Sequence, residues 1–509
     1  MSFFLSILPI ILIVYLMVGR RWSAARAGAA GYLSVLAIAI SFFGAGPLLL
    51  AYAQAKALVL SVDVLLIIWA AFFFYKVCEE AGAIRTIGQA LPLLTADRGM
   101  QALLVGWVFA SFLQGVGGFG VPVAVTAPIL VSMGFSPLVA VVLPSLGHGW
   151  AVNFGSLGSS FQALINVSGM PGEVLAPASA VFLGVVCLVT GPVVAHAAGG
   201  WHAVRRLLLP ALLIGIGMAL TQYFVATSGL WNIGAFSASL VGLLISLPLA
   251  YMINRKSHNP GELKLLSLLG AFSGYFIVVL VVLVAQFVSP LSALLKQVSF
   301  QIPFPETITE LDFSVAASLS RKIYPFGHTG LLLIYASLLS FLVYKLLGKY
   351  KPGAGGRILN GTVQRVMSSS VSIVSMITMA VIMEHAGMTD TLARGLASGL
   401  GTLFPIISPW IGALGAFMTG SNTNSNAVFG ALQKQAAELL KVSIPIILAA
   451  QTTGGSIGSV AAPTKIVVGL SALGLVGREG DILRHLAGYV TFLIALISLL
   501  TVLGILYTQ

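Results

Sequence analysis

Thr419-Gly-Ser-Asn-Thr-Asn-Ser-Asn426 is a run of small polar residues inside an otherwise apolar region, 403–470. Backbone that leaves a helix within hydrocarbon must find partners elsewhere, so such a run survives only inside protein or beside a water-filled cavity. It predicts a re-entrant hairpin over 403–441 whose tip carries chemistry. A second break, Gln114-Gly-Val-Gly-Gly-Phe-Gly-Val-Pro122, lies about 305 residues earlier and predicts a companion hairpin over 100–134.

Composition supplies the hydrocarbon. Of 509 residues, 58% are apolar and only 8% charged, and the mean hydropathy is +1.02. Soluble domains carry about 25% charged residues, so this chain has lipid for solvent. Apolar runs near the ~20 residues of a spanning helix recur at 2–19, 30–50, 57–78, 177–198, 206–227, 231–253, 264–288, 328–347, 361–383 and 485–507. The ten-residue alternation of a membrane barrel is absent. The first run precedes its arginines Arg20, Arg21 and Arg26, the reverse of a secretory leader, so a retained first helix is expected. Cys78 and Cys187 lie in or beside apolar runs and read as packing residues.

The net charge of +12 does not indicate nucleic acid, because the cations sit in short loops between apolar runs. With the N-terminus outside, and one hairpin plus one interrupted crossing at each break, 18 of the 26 Lys and Arg fall inside. Seven, among them Lys56, Lys322 and Lys434, fall outside, and Lys465 stays within the membrane. That bias fits the positive-inside rule. A shift of 305 residues also pairs Glu79-Glu80-Ala81-Gly82 with Glu384-His385-Ala386-Gly387, Phe112 with Phe417, Gly115 with Gly420 and Gly149 with Gly454. Under the same topology the helix before Glu79 runs inward and the one before Glu384 outward. Inverted repeats with matched broken helices place a transporter's site near the midplane.

The expected fold is therefore an all-α integral membrane transporter of inverted repeats, with two re-entrant hairpins, two interrupted helices and about 12–14 membrane segments. The N-terminal helix takes 1–29, the first repeat 30–200 with its interrupted helix at 136–165, and scaffold helices and an outer loop 201–327. The second repeat takes 328–509, with its interrupted helix at 443–477. Pro303 and Pro305 interrupt the mixed stretch 289–327, where a surface helix is expected.

The second interruption ends in Ala462-Pro-Thr-Lys465 before a short apolar half-helix. An ammonium at mid-depth costs at least ~2.5 kcal/mol, and it opposes the positive end of the half-helix it begins. A bound anion reverses both terms; the plainer alternative is a lysine reaching an aqueous vestibule. Exposed N–H groups at glycines and helix N-termini suit a carboxylate, although a single Gly-rich break also fits a packing bend. The candidate substrate residues are Gln114, Gly117, Gly118, Ser421, Asn422, Thr423, Asn424, Ser456 and Lys465. His148, in the first interruption, is the proton candidate, with a satisfied core histidine as the alternative. Gly115-x-Gly117-x-x-Gly120 lacks the strand of a dinucleotide fold, and Gly454-Gly-Ser456-Ile-Gly458 lacks the strand of a nucleophile elbow. No enzyme activity, cofactor or metal is expected.

At Phe112–Ala127, Met418–Gln433 and Gly474–Asp481 the chain resembles the L-lactate permease family, and the likeness runs across most of its length. The resemblance implies proton-linked uptake of lactate or glycolate across a plasma membrane, with Ser421-Asn422-Thr423 similar to the superfamily's hairpin motif. The family pattern has acids where Gln114 and Asn422 stand, a small or polar residue at Lys465, and no histidine at 148. The more positive site makes a dicarboxylate or sulfonate, with Lys465 replacing the coupling ion, the alternative substrate class; an anion channel is another alternative. Expected partners are a small organic anion, H+ or Na+, the lipid bilayer and a second copy of the chain, with no nucleic acid.

Overall fold

The computed structural model describes residues 2–508 apart from Arg21, Phe119, 254–264, Arg321, Gly474, Val476 and Gly477. The polar loop 254–264 and part of the 474–481 motif thus lie outside the described residues.

Helix α1 (Ser2–Val14) leads into α2 (Ala24–Phe43), α3 (Pro47–Glu80) and α4 (Ala83–Ala90). Then α5 (Arg98–Gln101) continues through a π-helical stretch, Ala102–Phe109, into α6 (Ala110–Val116), and α7 (Val121–Ser132) follows the glycine break. The first interruption separates α8 (Pro137–Gly147) from α9 (Ser159–Ser168). After them, α10 (Gly172–Val225) bends at Gly199–Gly200 and is succeeded by α11 (Gly234–Ile253), α12 (Leu265–Phe287) and the short α13 (Ser289–Leu295). The remainder is α14 (Thr329–Leu346), α15 (Ala354–His385), α16 (Met388–Leu400), α17 (Phe404–Thr419), α18 (Asn422–Leu439), α19 (Ile444–Gly458), α20 (Pro463–Ala472) and α21 (Glu479–Thr508). Eleven helical stretches among the described residues are long and apolar enough to cross a membrane, and one of them, Gly172–Ile253, includes the bend at Gly199–Gly200.

One expectation changes, and one stretch carries more than was expected. The helices expected over 30–50 and 57–78 are α2 and α3, displaced toward the N-terminus. Ser23 caps α2 through its hydroxyl, Gly44 ends it at φ +64°, and Pro47 restarts the chain at the first turn of α3. Apolar residues continue through that turn, so hydropathy alone hides it. In 289–327 the expected surface helix is the short α13, and beyond it the chain forms two antiparallel ribbons. These pair β1 (Pro303–Phe304) with β4 (Ser318–Leu319), and β2 (Thr307–Ile308) with β3 (Ser314–Val315). The ribbons are pinned to the bundle where Glu310 N donates to Gly44 O (2.8 Å) and Thr307 Oγ1 meets His385 Nδ1 (2.7 Å).

The broken elements occupy the interior. The most apolar windows of Arg98–Val116 and Pro137–Ser168 are 94% and 89% buried, against 33% for α12 and α14. That arrangement keeps irregular backbone away from lipid, as unpaired peptide groups require. Glycines make the close packing possible. A Cβ on Gly147 of α8 would run into the Gly106 carbonyl, and one on Gly454 of α19 into the Pro409 carbonyl of α17. Small residues at such crossings let backbones approach.

The packing is reciprocal between the two halves. α2 lies on α15, and α14 lies on α3. The half-helix α9 packs on α18, while the half-helix α20 packs on α7; α10 meets α19, and α21 meets α8.

Candidate functional site

The tip between α17 and α18 takes two residues. Gly420, at φ +70°, ends α17, and Ser421 is extended at φ −144° and ψ 120°. The Ser421 hydroxyl accepts from Asn424 N (3.3 Å), capping α18. The first backbone N–H groups of a helix have no partner within it, so α18 presents donors, and the positive end of an 18-residue helix, at Asn422 and Thr423.

Behind the tip the polar side chains form a buried network. Asn422, 1% exposed, donates through Nδ2 to Ser456 Oγ (3.1 Å) and Thr452 Oγ1 (3.2 Å). Thr452 donates to Asn153 Oδ1 (2.6 Å) in the first interruption and accepts from Asn426 Nδ2 (2.8 Å). Asn426 also reaches Ser160 O (2.9 Å), and the Ser160 and Thr423 hydroxyls meet at 3.0 Å. The second hairpin is thereby bonded to the first interrupted helix.

Lys465 is the third residue of α20, whose start is fixed by extended Ala462 and Pro463 at its first position. Its side chain is buried, 6% exposed, and Nζ donates to Ser459 Oγ (2.9 Å), which itself donates to Ser456 O (2.9 Å). Among the described residues no carboxylate lies within 4 Å of this ammonium. Glu79 pairs with Lys76, Glu80 with Arg357 and Glu384 with Lys56. An ammonium has three donors, so Lys465 retains hydrogen-bonding capacity for a ligand.

Ser421, Asn424 and Lys465 converge on one cleft of about 290 Å³. Arg365, Ser368, Ser369, Ser372, Thr419 and Thr464 also line it, and among the described residues no acid does. Asn424 Nδ2 donates to Ser372 Oγ (2.9 Å), which leaves its buried Oδ1 without a partner. The cleft is thus lined by a cation, by the cap of α18 and by Asn424, whose Oδ1 is buried and has no partner among the described residues.

The other candidates lie elsewhere. Asn422, Thr423 and Ser456 stand in the network behind the cleft. Gln114, Gly117 and Gly118 form a separate group: a Cβ on Gly118 (φ +57°) would strike Ser156 Oγ, and one on Gly117 would sit 3.0 Å from the Tyr75 ring. The segment 153–160 stands between the tips, touching Gly118 through Ser156 and Thr423 through Ser160. His148 is fully buried; Nδ1 donates to Pro144 O (2.6 Å) and Nε2 has no partner. It lines neither this cleft nor the cleft beside Asp63. Among the described residues no group of three or more His, Cys, Asp or Glu is placed to hold a metal.

Sequence reasoning missed Arg365 and Ser372, which carry no local signature, and the cluster around Asp63. Asp63 did leave a signal, being the one charged residue between Lys56 and Lys76 in an apolar run, where an acid is a functional flag.

Comparison with known proteins identifies the family. The profile of the L-lactate permease family matches residues 2–507. Glycolate permease GlcA of Escherichia coli (strain K12) is 30% identical over 86% of this chain and 83% of its own length. The L-lactate permease of the same organism is 28% identical over the same shares, and that of Bacillus subtilis (strain 168) is 26% identical over 98% and 95%. The crystal structure of the Alcanivorax borkumensis YdaH transporter overlays at a TM-score of 0.44 with 14% identity, over 87% of this chain and 85% of that one, a likeness too loose to argue from.

Proposed function

The chain belongs to the L-lactate permease family, and on that premise we propose that it carries a small 2-hydroxy monocarboxylate of the lactate or glycolate type across the cell membrane by alternating access. It is a multi-pass membrane transporter, not an enzyme. One observation carries the reading: Lys465 and the N-terminus of α18 converge on a cleft without acids. The substrate carboxylate sits between Lys465 Nζ and the first N–H groups of α18, and its hydroxyl donates to Asn424 Oδ1. Arg365 adds positive potential at the mouth. In the orientation set by the basic loops this cleft faces the cytoplasm.

Alternating access comes from two inverted repeats, 24–198 and 329–508. Matching element order, reciprocal packing and paired glycine crossings support that division. The coupling ion we propose is H+, with Na+ as the alternative. His148 has less support as the proton site, since full burial and the bond to Pro144 favour a packing role.

Counterflow in proteoliposomes tests the reading. Purified protein loaded with unlabelled lactate or glycolate should accumulate the labelled acid transiently, and propionate, which lacks the hydroxyl, should compete poorly. Absence of exchange with every 2-hydroxy acid would sink it. The second reading, a dicarboxylate or sulfonate, draws on Arg365 lining the cleft with Lys465. Competition by such a dianion tenfold better than by lactate would favour it. Sustained conductance without exchange would indicate a channel.

A further inference from the structure

Among the described residues, Asp63, in α3, accepts from three donors in two other parts of the chain. Its Oδ1 accepts from His328 Nε2 (2.7 Å), and its Oδ2 accepts from Gln162 Nε2 (2.7 Å) and Asn166 Nδ2 (2.8 Å) on α9. Asn166 Nδ2 also reaches Leu60 O (3.2 Å). His328 Nδ1 accepts from Gly330 N (3.0 Å) at the start of α14, which puts the ring proton on Nε2, pointing at the carboxylate. One carboxylate therefore ties α9 and the start of α14 to α3.

Beside it opens a cleft of about 80 Å³ lined by Leu60, Asp63, His328 and Thr329. The 305-residue shift carries these positions to Arg365, Ser368, Ser23 and Ala24, all of which line the cleft of Lys465. The two clefts occupy positions related by that shift: one is lined by Lys465 and Arg365, and the other holds the acid Asp63 together with Lys322.

We propose that Asp63 is a proton-binding site of this carrier, and that its ionised form latches α9 to α3 and α14, closing the outward path. An added proton must occupy an oxygen that now faces N–H donors, so binding it breaks at least one of these bonds. The proton comes from the outer solution, neutralises the carboxylate and frees α9. That half-helix also bears Ser160, whose hydroxyl and carbonyl hold Thr423 and Asn426 of the substrate hairpin. Release at Asp63 thus reaches the anion site through one short helix.

The other titratable groups of this cleft are Lys322 and Tyr324 (Arg321 lies outside the described residues). α9 faces Asp63 with neutral amides only. From α15, Glu384 and His385 are engaged by Lys56, at 3.7 and 3.2 Å.

The proposal rests on the carrier reading, and two assays keep them apart: counterflow, and accumulation driven by an imposed proton gradient. Asp63→Asn should retain counterflow, lose gradient-driven accumulation, and make exchange insensitive to external pH. His328→Gln, which keeps a donor toward Asp63, should retain driven accumulation. Gln162→Leu removes one bond to the ionised form while leaving the carboxylate, so half-maximal uptake should move to higher external pH. Wild-type accumulation by Asp63→Asn overturns the proposal; so does loss of counterflow in a protein that still folds, because Asp63 would then serve carrying and not coupling. If Asp63→Asn does not fold, an unshifted pH midpoint in Gln162→Leu overturns it. A wild-type protein without counterflow refutes the carrier reading instead.

Discussion

The hairpin tip at 117–120 is nearly all glycine, whereas the tip at 420–426 is a ring of hydroxyls and amides. The first presses its backbone against Ser156 and Tyr75; the second reaches outward to Thr452, Ser456, Ser160 and Ser372. Each hairpin arm crosses its interrupted helix at glycines: a Cβ on Gly147 would meet the Gly106 carbonyl, one on Gly412 the Gln451 carbonyl and one on Gly454 the Pro409 carbonyl. The clefts differ again, Lys465 and Arg365 lining one while Asp63 and His328 close the other. The contrast teaches that backbone geometry constrains both halves alike, while charge is free to diverge. On the reading proposed above, one half receives an anion and the other its proton.

The shared crossing gives the largest expected effect. Gly454→Val drives a branched side chain into the Pro409 carbonyl, and Gly147→Val does the same to Gly106. Each should abolish recovery of folded, monodisperse protein after size-exclusion chromatography. Normal recovery of either variant would show that the crossings are not equivalent.

At the second tip, Asn424→Ala removes the open acceptor assigned to the substrate hydroxyl. A neutral hydrogen bond is worth about 0.5–1.5 kcal/mol, so preference for lactate over propionate should fall by roughly 2- to 12-fold in competition assays. Unchanged preference would place the hydroxyl elsewhere. Ser421→Ala loses the cap of α18, worth about 1 kcal/mol, and should weaken lactate binding by about fivefold in titrations. At the first tip, Gln114→Ala should leave lactate affinity within about twofold, the size of an effect without a direct contact. A tenfold loss there would move part of the anion site to the glycine hairpin.

The family motifs and both broken helices were legible because unpaired backbone in an apolar run has few physical explanations. The turn at Gly44–Pro47 was not, since apolar residues continue across it. Lys465 could be placed in advance from the cost of a buried ammonium. Its company could not: Ser372 and Arg365 come from α15, about a hundred residues away, and nothing in their neighbours marks them. The bonds from the Asn422 amide nitrogen to Thr452 and Ser456 are visible only once α18 and α19 are packed. The Asp63 cluster joins residues from 63 to 328 through three helices, so the sequence exposes its acid and hides its partners.

Lactate binding to Lys465→Met, set beside the wild type in a thermal-shift titration, decides whether the cationic half receives the anion. The methionine keeps the buried volume and removes the charge, so the protein should stay folded. A hydrogen bond to a charged group is worth roughly 1.5–3 kcal/mol. The account therefore predicts a loss of about 10- to 150-fold in affinity, and no counterflow at concentrations that saturate the wild type. A folded methionine variant that binds and exchanges lactate like the wild type would contradict it.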